Sequence, residues 1–150
     1  MAHIRQQVRA AVAAALDGLP TTQGRVFTAR PFPLSTGELP GFVVFIVGET
    51  NDVSSASGGS VKLDRLMELV LVGYAEGLGV EDTLDAMAAE AEARIAESFP
   101  IGGGNAPIQQ ILIARTEIAV DGDARTRAGE IRMTFEVRTR TTAADPETAV

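Results

Sequence analysis

The chain has 150 residues, 45% of them hydrophobic, a formal net charge of −7 and no cysteine. This length suits one domain burying about two thirds of the surface its unfolded chain would expose, and the missing cysteines exclude disulfides and thiolate metal sites. The acidic balance argues against a general nucleic-acid binder, which sets clustered Lys and Arg against phosphates.

Ile4, Val8, Ala11, Val12, Ala15 and Leu16 recur with helical spacing, which predicts a first helix closed by Gly18 and Pro20. Glutamines and arginines interrupt Met1 to Leu19 where a secretory signal needs an apolar core. No run reaches the roughly 18 apolar residues that cross a bilayer, so a soluble product made in the cytoplasm, with no membrane partner, is expected. His3, the one histidine, reads as a surface residue rather than a base or ligand.

Arg25 to Arg30 predicts a short strand, and Pro31 and Pro33 force an irregular crossing after it. Phe42 to Val47 is a run of six apolar, β-favouring residues, read as a strand buried on both faces. Gly48 to Ser60 is polar and rich in serine and glycine, and is read as a mobile hairpin loop, either disordered or, if functional, ordering when a partner arrives. A strand from Val61 to Tyr74 follows, apolar at nearly every position from Leu66 onward and so placed at the centre of a sheet. Beyond Gly79 a second helix, Val80 to Phe99, sets Leu84, Met87, Ala88, Ala91 and Ile95 on one side and its acids elsewhere.

Gly102-Gly103-Gly104 invites a phosphate-loop reading, but the order here is helix, glycines, strand, and the lysine and hydroxyl of such a loop are missing. Ile108 to Val120 is read as a strand with Ile111 and Ile113 on one face and Ile108, Leu112, Ile118 and Val120 on the other. Asp121-Gly122-Asp123 is a turn rather than a calcium loop, since Arg132 stands where a closing glutamate would fall. Glu130 to Thr141 alternates cleanly: Ile131, Met133, Phe135 and Val137 point one way, Arg132, Thr134, Glu136, Arg138 and Arg140 the other. The order predicts an α+β domain over residues 1–141, a mostly antiparallel five-stranded sheet with two helices on one face and a long β-hairpin loop. Residues 142–150, small and polar, predict a disordered tail.

Several stretches resemble the tail terminator proteins of long, non-contractile phage tails. They are Val8-Arg9-Ala10-Ala11-Val12, Ala29-Arg30-Pro31, Glu38-Leu39-Pro40 leading into Phe42 to Val47 and Gly48-Glu49, then Glu68 to Tyr74, and Val80 to Met87. The likeness runs in element order from residue 3 to 140. It implies a structural virion protein, fold-related to tail-tube proteins, that forms a homo-hexameric ring on the head-proximal end of a finished tail. Such a ring stops growth of the tail tube protein, offers a surface to the head-completion or stopper protein, and lets DNA through its lumen without specific binding.

Within that reading, the acidic helix start Glu81, Asp82 and Asp85 is the candidate subunit interface, opposed by the arginine row Arg132, Arg138 and Arg140 of a neighbour. The loop residues Asn51, Asp52, Ser54, Ser55, Ser57, Gly58 and Gly59 are the candidate contact with tube or neck. The plainer alternative leaves the acids complementing the helix dipole and the arginines solvating an exposed strand. Enzymatic readings fare worse: exposed carboxylates at a helix start do not separate their pKa values, and the serines lie in a loop rather than on a nucleophile turn. No catalytic residue, cofactor or metal ligand is expected. Another neck or tail-tube component, or a small ligand-binding domain, remains the rival reading.

Overall fold

The structure, a computed structural model, describes residues 2–28, 34–101, 107–123 and 127–150, with Ser57 described by its backbone alone. The proline crossing at Pro31 and Pro33, the stretch Ala29-Arg30-Pro31 and the glycine run Gly102-Gly103-Gly104 lie outside these residues.

Helix α1 spans Ile4–Leu16 and buries Ile4, Val8, Val12 and Leu16, one residue per turn. His3 has a role beyond that of a surface residue: its Nδ1 accepts from the Arg5 N–H at 3.1 Å, so it caps the first turn. Strand β1 is only Val26–Phe27, and β2 is Gly41–Ser57. Strand β3 (Ser60–Glu76), helix α2 (Val80–Ser98), β4 (Gln110–Asp121) and β5 (Ala128–Thr142) complete the chain. The sheet order is β1-β2-β3-β5-β4, antiparallel except where β1 runs parallel to β2.

Both helices lie on one face, the inner one. Leu84, Met87, Ala91 and Ile95 of α2 and the stripe of α1 join Phe42, Val44, Met67, Leu69, Leu71, Ile131, Met133, Phe135 and Val137 in one core. Each large aliphatic side chain so buried stabilises by about 1.5–3 kcal/mol. Polar side chains tie the helices end to end. Arg94 donates to the carbonyls of Ala15 (3.0 Å) and Asp17 (3.3 Å), where a cation suits the C-terminal end of α1. Glu90 accepts from the Thr21 hydroxyl at 2.8 Å and from its amide at 3.2 Å. On the outer face Val43, Val70 and Val72 are buried as well, so β3 is covered on both sides as its composition requires.

Three expectations are corrected. Gly48 to Ser60 is not a mobile loop: β2 runs on to Ser57 and pairs with β3 as far as Ser57↔Ser60. Gly58 and Gly59 have φ of +66° and +76°, the backbone that a two-residue type I′ turn needs, and polar side chains suit a ladder that is solvated on both faces. In β4 a bulge between Ile113 and Arg115 changes the alternation. One extra residue moves every later side chain to the other face, so Ile118, opposite Ile131, and Val120 join Ile111 and Ile113 on the helix side. Finally, the tail is docked rather than disordered. The Ile4 N–H donates to Pro146 O at 3.0 Å, the Val150 N–H donates to Arg140 O at 2.9 Å, and Thr141 bridges Ala149. Backbone hydrogen bonds hold this segment where apolar area could not.

Candidate assembly surface

The order of strands leaves two open edges on opposite sides of one sheet. β1 covers β2 only at Phe42 and Val43, so from Val44 to Ser57 no further described strand pairs with that side. At the other end β4 pairs, among the described strands, with β5 alone, and its outer edge runs the length Gln110–Asp121. Edge N–H and C=O groups are a template for another strand. The β4 edge is also apolar where the helices fail to reach it: Ile113 is 40% and Ile118 53% exposed on the inner face, and Leu112 is 48% exposed on the outer.

β2 and β3 run on past Asn51↔Arg65 as a hairpin arm, flanked on the β3 side by β5 as far as Lys62↔Thr142; only its tip, Ala56–Ser57 with Ser60–Val61, is two-stranded. Val53, Ala56 and Val61 lie exposed along it, and the bulge between Val53 and Ser55 adds twist. A polar cluster grips its base. The Arg65 guanidinium donates to Glu49 Oε2 (2.7 Å) and to Thr141 Oγ1 (2.8 Å), while Arg5 reaches Glu49 Oε1 at 3.3 Å. The Glu49 and Arg65 side chains are only 8% and 7% exposed. Burial alone would push the Glu49 carboxyl up; hydrogen bonds from Asn51 and Arg65, and the nearby Arg65 charge, outweigh it and hold the group below its ordinary range. On the outer face, Gly48, Thr50, Leu66, Glu68, Arg115 and Glu136 line an open groove of about 570 Å³. Glu68 and Glu136 stand directly opposite across β3 and β5.

No protein-family model matches the chain, and no curated protein matches it. Among solved structures, a chain of the virion of a native gene transfer agent particle is similar, with a TM-score of 0.42 and 20% identity over 91% of this chain and 92% of that one.

The residues singled out in the sequence fall in three places. Glu81, Asp82 and Asp85 are exposed on the first turns of α2, and Glu81 is ion-paired with Arg127 of the same chain. Arg132, Arg138 and Arg140 line the outer face of β5, on the far side of the sheet from α2, so the fold does not bring the acids and arginines together within one subunit. Arg132 lies 5.8 Å over the Phe45 ring, and Arg140 Nε donates to Asp64 Oδ1 at 2.6 Å. Asn51 and Asp52 sit at the base of the arm, Ser54 and Ser55 on its β2 strand, and Gly58-Gly59 form its tip.

The open β4 edge and the Glu49–Arg65 pair escaped the sequence reading. The second left a trace: Glu49 and Arg65 occupy inward positions in the alternation continued from Met67, where a charged residue needs a partner. No helix among the described residues is long and apolar enough to cross a membrane, and no group of His, Asp and Glu among them is arranged to hold a metal ion.

Proposed function

We propose that this protein is a structural component of a phage-type virion: a tail terminator that forms a homo-hexameric ring on the end of the tail tube. In this role it stops polymerisation of the tube protein and presents a surface to the head-completion or stopper protein, with DNA passing through the lumen. The observation that carries the reading is the pair of open edges, β2 on one side of the sheet and β4 on the other. A contact joining two different surfaces of one subunit is heterologous, and heterologous contacts generate closed rings when their rotation closes. Pairing the β2 edge of one copy with the β4 edge of the next satisfies both backbones and covers Ile113 and Ile118. The sequence resemblance supplies the tail location and the number six. The net charge of −7 suits a conduit, because basic walls would hold DNA through counterion release.

The projecting arm, from Asn51 to Gly59, is the contact assigned to the tube or neck. Glu81, Asp82 and Asp85 against Arg132, Arg138 and Arg140 is a second subunit contact; Arg138 is the arginine with the most freedom to make it, as Arg132 and Arg140 already have partners in their own chain.

Size exclusion and negative-stain imaging of the purified chain test the reading. Closed rings of tail width are expected, and Ile113→Lys with Ile118→Lys should return monomers. Long tubes would assign the chain to the tube itself, the alternative that uses the same edges. Monomers at high concentration would overturn both.

A further inference from the structure

The open edge on the β4 side of the sheet is longer than β4 itself. β4 pairs with β5 from Asp121↔Ala128 to Gln110↔Arg138, and the Gln109 N–H still donates to Arg138 O at 2.9 Å. Beyond that point the C-terminal segment takes over: Thr141 bridges Ala149, and the Val150 N–H donates to Arg140 O at 2.9 Å. The other side of Arg140 and Thr141 is taken by β3, through Asp64 and Leu63, so the segment lies on the side of β5 that β4 occupies lower down. Gln109 Nε2 reaches Val150 O at 3.4 Å and joins the two pieces. Both run antiparallel to β5 and together make one composite edge strand, broken in sequence and continuous in the sheet.

The free edge of β2 calls for that extra length. The register places Thr50, Leu66, Arg138 and Gln110 in one row across the sheet, so β4 alone stops level with Thr50 while β2 continues to Ser57. Two rows further on stand Asp52, Asp64, Arg140 and Val150, and the row after that is Val53, Leu63, Thr141 and Ala149. Thr141 is fully buried and Ala149 packs against the core, so this last row faces the helices and Val53, 64% exposed, faces the same way. A ring built by rotation keeps its copies at one height. Rows then meet rows when one copy's β2 lies beside the next copy's composite strand. β2 runs in the direction of β5, so this pair is antiparallel. It sets Val53 against Ala149 and, lower down, Ile46 against Ile113, two apolar pairs on the helix side. A slip of one residue would lose both pairs.

We propose that the C-terminal segment belongs to the contact between subunits: residues 149 and 150 of one copy pair with Asp52 and Val53 on the β2 strand of the next. This rests on the ring proposed above and specifies its register. The base of the arm is then held between β3 of its own chain and a strand of its neighbour. Only the tip, Ala56–Ser57 with Ser60–Val61, projects from the ring toward tube or neck.

Disulfide trapping tests the contact cleanly, because the chain has no cysteine of its own. Asp52→Cys with Val150→Cys changes two side chains outside the core. Within one chain these positions are three strand spacings apart, about 14 Å, which is beyond disulfide reach; between copies they stand directly opposite. Mild oxidation of the assembled protein should give a ladder of linked chains on a non-reducing gel, formed at least tenfold faster than by the same variant unfolded in urea. Thr50→Cys with Gln110→Cys reads the β2–β4 contact without the C-terminal segment. A ladder from this second pair and none from the first would overturn the inference and leave the ring standing. Links from the first pair formed no faster than in urea are random collisions and would overturn it too, as would rings that neither pair links. Monomers on a sizing column, with no ladder from either pair, would overturn the ring itself and this contact with it.

Discussion

Gly73 gives the sharpest test of the packing beneath the assembly surface. It lies in β3 between Phe42 and Ile131 of the neighbouring strands, and a Cβ placed there would stand 2.9 Å from Met87 Cε, 3.0 Å from Ile131 Cγ2 and 3.0 Å from Phe42 Cε1. The Met87 terminus is flexible and can retreat, but Phe42 and Ile131 are buried in the core and cannot both move away. Overpacking of this kind costs about 1–3 kcal/mol, offset by roughly 0.4–1 kcal/mol because alanine restricts the unfolded chain. Gly73→Ala should therefore destabilise the monomer by about 1–2 kcal/mol, lowering Tm by about 2–8 °C for a domain of this size. Circular-dichroism melts should show that drop, and urea titration a lower midpoint at an unchanged slope. Met87→Ala costs about 2–5 kcal/mol alone, but it vacates the clashing atom, so the double variant should lose less than the sum by about 1 kcal/mol. A Gly73→Ala protein as stable as the parent would refute the claim that α2 sits this tightly on β3.

Glu49→Gln leaves Arg65 buried with a weaker partner and should cost about 3 kcal/mol at neutral pH, near the lower end for a broken buried pair because the amide still accepts. The folded Glu49 pKa is depressed, so its contribution is full above the ordinary value of 4.5 and vanishes as pH falls through the lower folded value. Urea titrations of the two proteins should accordingly converge on acidification below that pH, and a gap that stayed constant would contradict the assignment. Gly59→Val forces a β-branched residue to a φ of +76°, costing roughly 1–2 kcal/mol in the turn. Amide exchange should quicken at the tip of the arm more than in the core, with Tm lowered by at most about 2–8 °C. Glu81→Lys with Asp85→Lys removes one exposed ion pair, within about 1 kcal/mol of neutral for the monomer. Monomers on a sizing column are expected if this helix start meets a neighbour, and retained rings would sink that contact.

Much of the fold was legible because burial writes a period into the chain. The i, i+4 stripe Ile4–Val8–Val12–Leu16 marked α1, the apolar run Leu69-Val70-Leu71-Val72 marked the sheet centre, and Ile131, Met133, Phe135 and Val137 marked the inner face of β5; all are buried as their patterns predict. What could not be read has a common cause, namely backbone pairing that leaves no hydrophobic signature. The arm is solvated on both faces, so its serines carry no alternation, and only the adjacent glycines of its turn announced a hairpin. The docked C-terminal segment is likewise held largely through its own backbone carbonyls and amides, which leave no hydrophobic period in its residues.

The β4 bulge shows why this bears on the surface and not only on the fold. Counting by twos from Ile111 sends Ile118 to the outer face. The extra residue at Ala114 returns it to the helix side, beside Ile113, and so creates the apolar edge on which ring closure is proposed. An edge strand bearing exposed isoleucines is a hazard for a protein that stays monomeric. Neither a charge nor a proline has been placed on the inward positions between them, where Thr116 stands. That omission is economical only if a partner covers the strand, whereas the acids of α2 are accounted for by the helix dipole and Arg127 alone. Of the two candidate contacts, the β4 edge therefore has the stronger physical claim to be the one that would close the proposed ring.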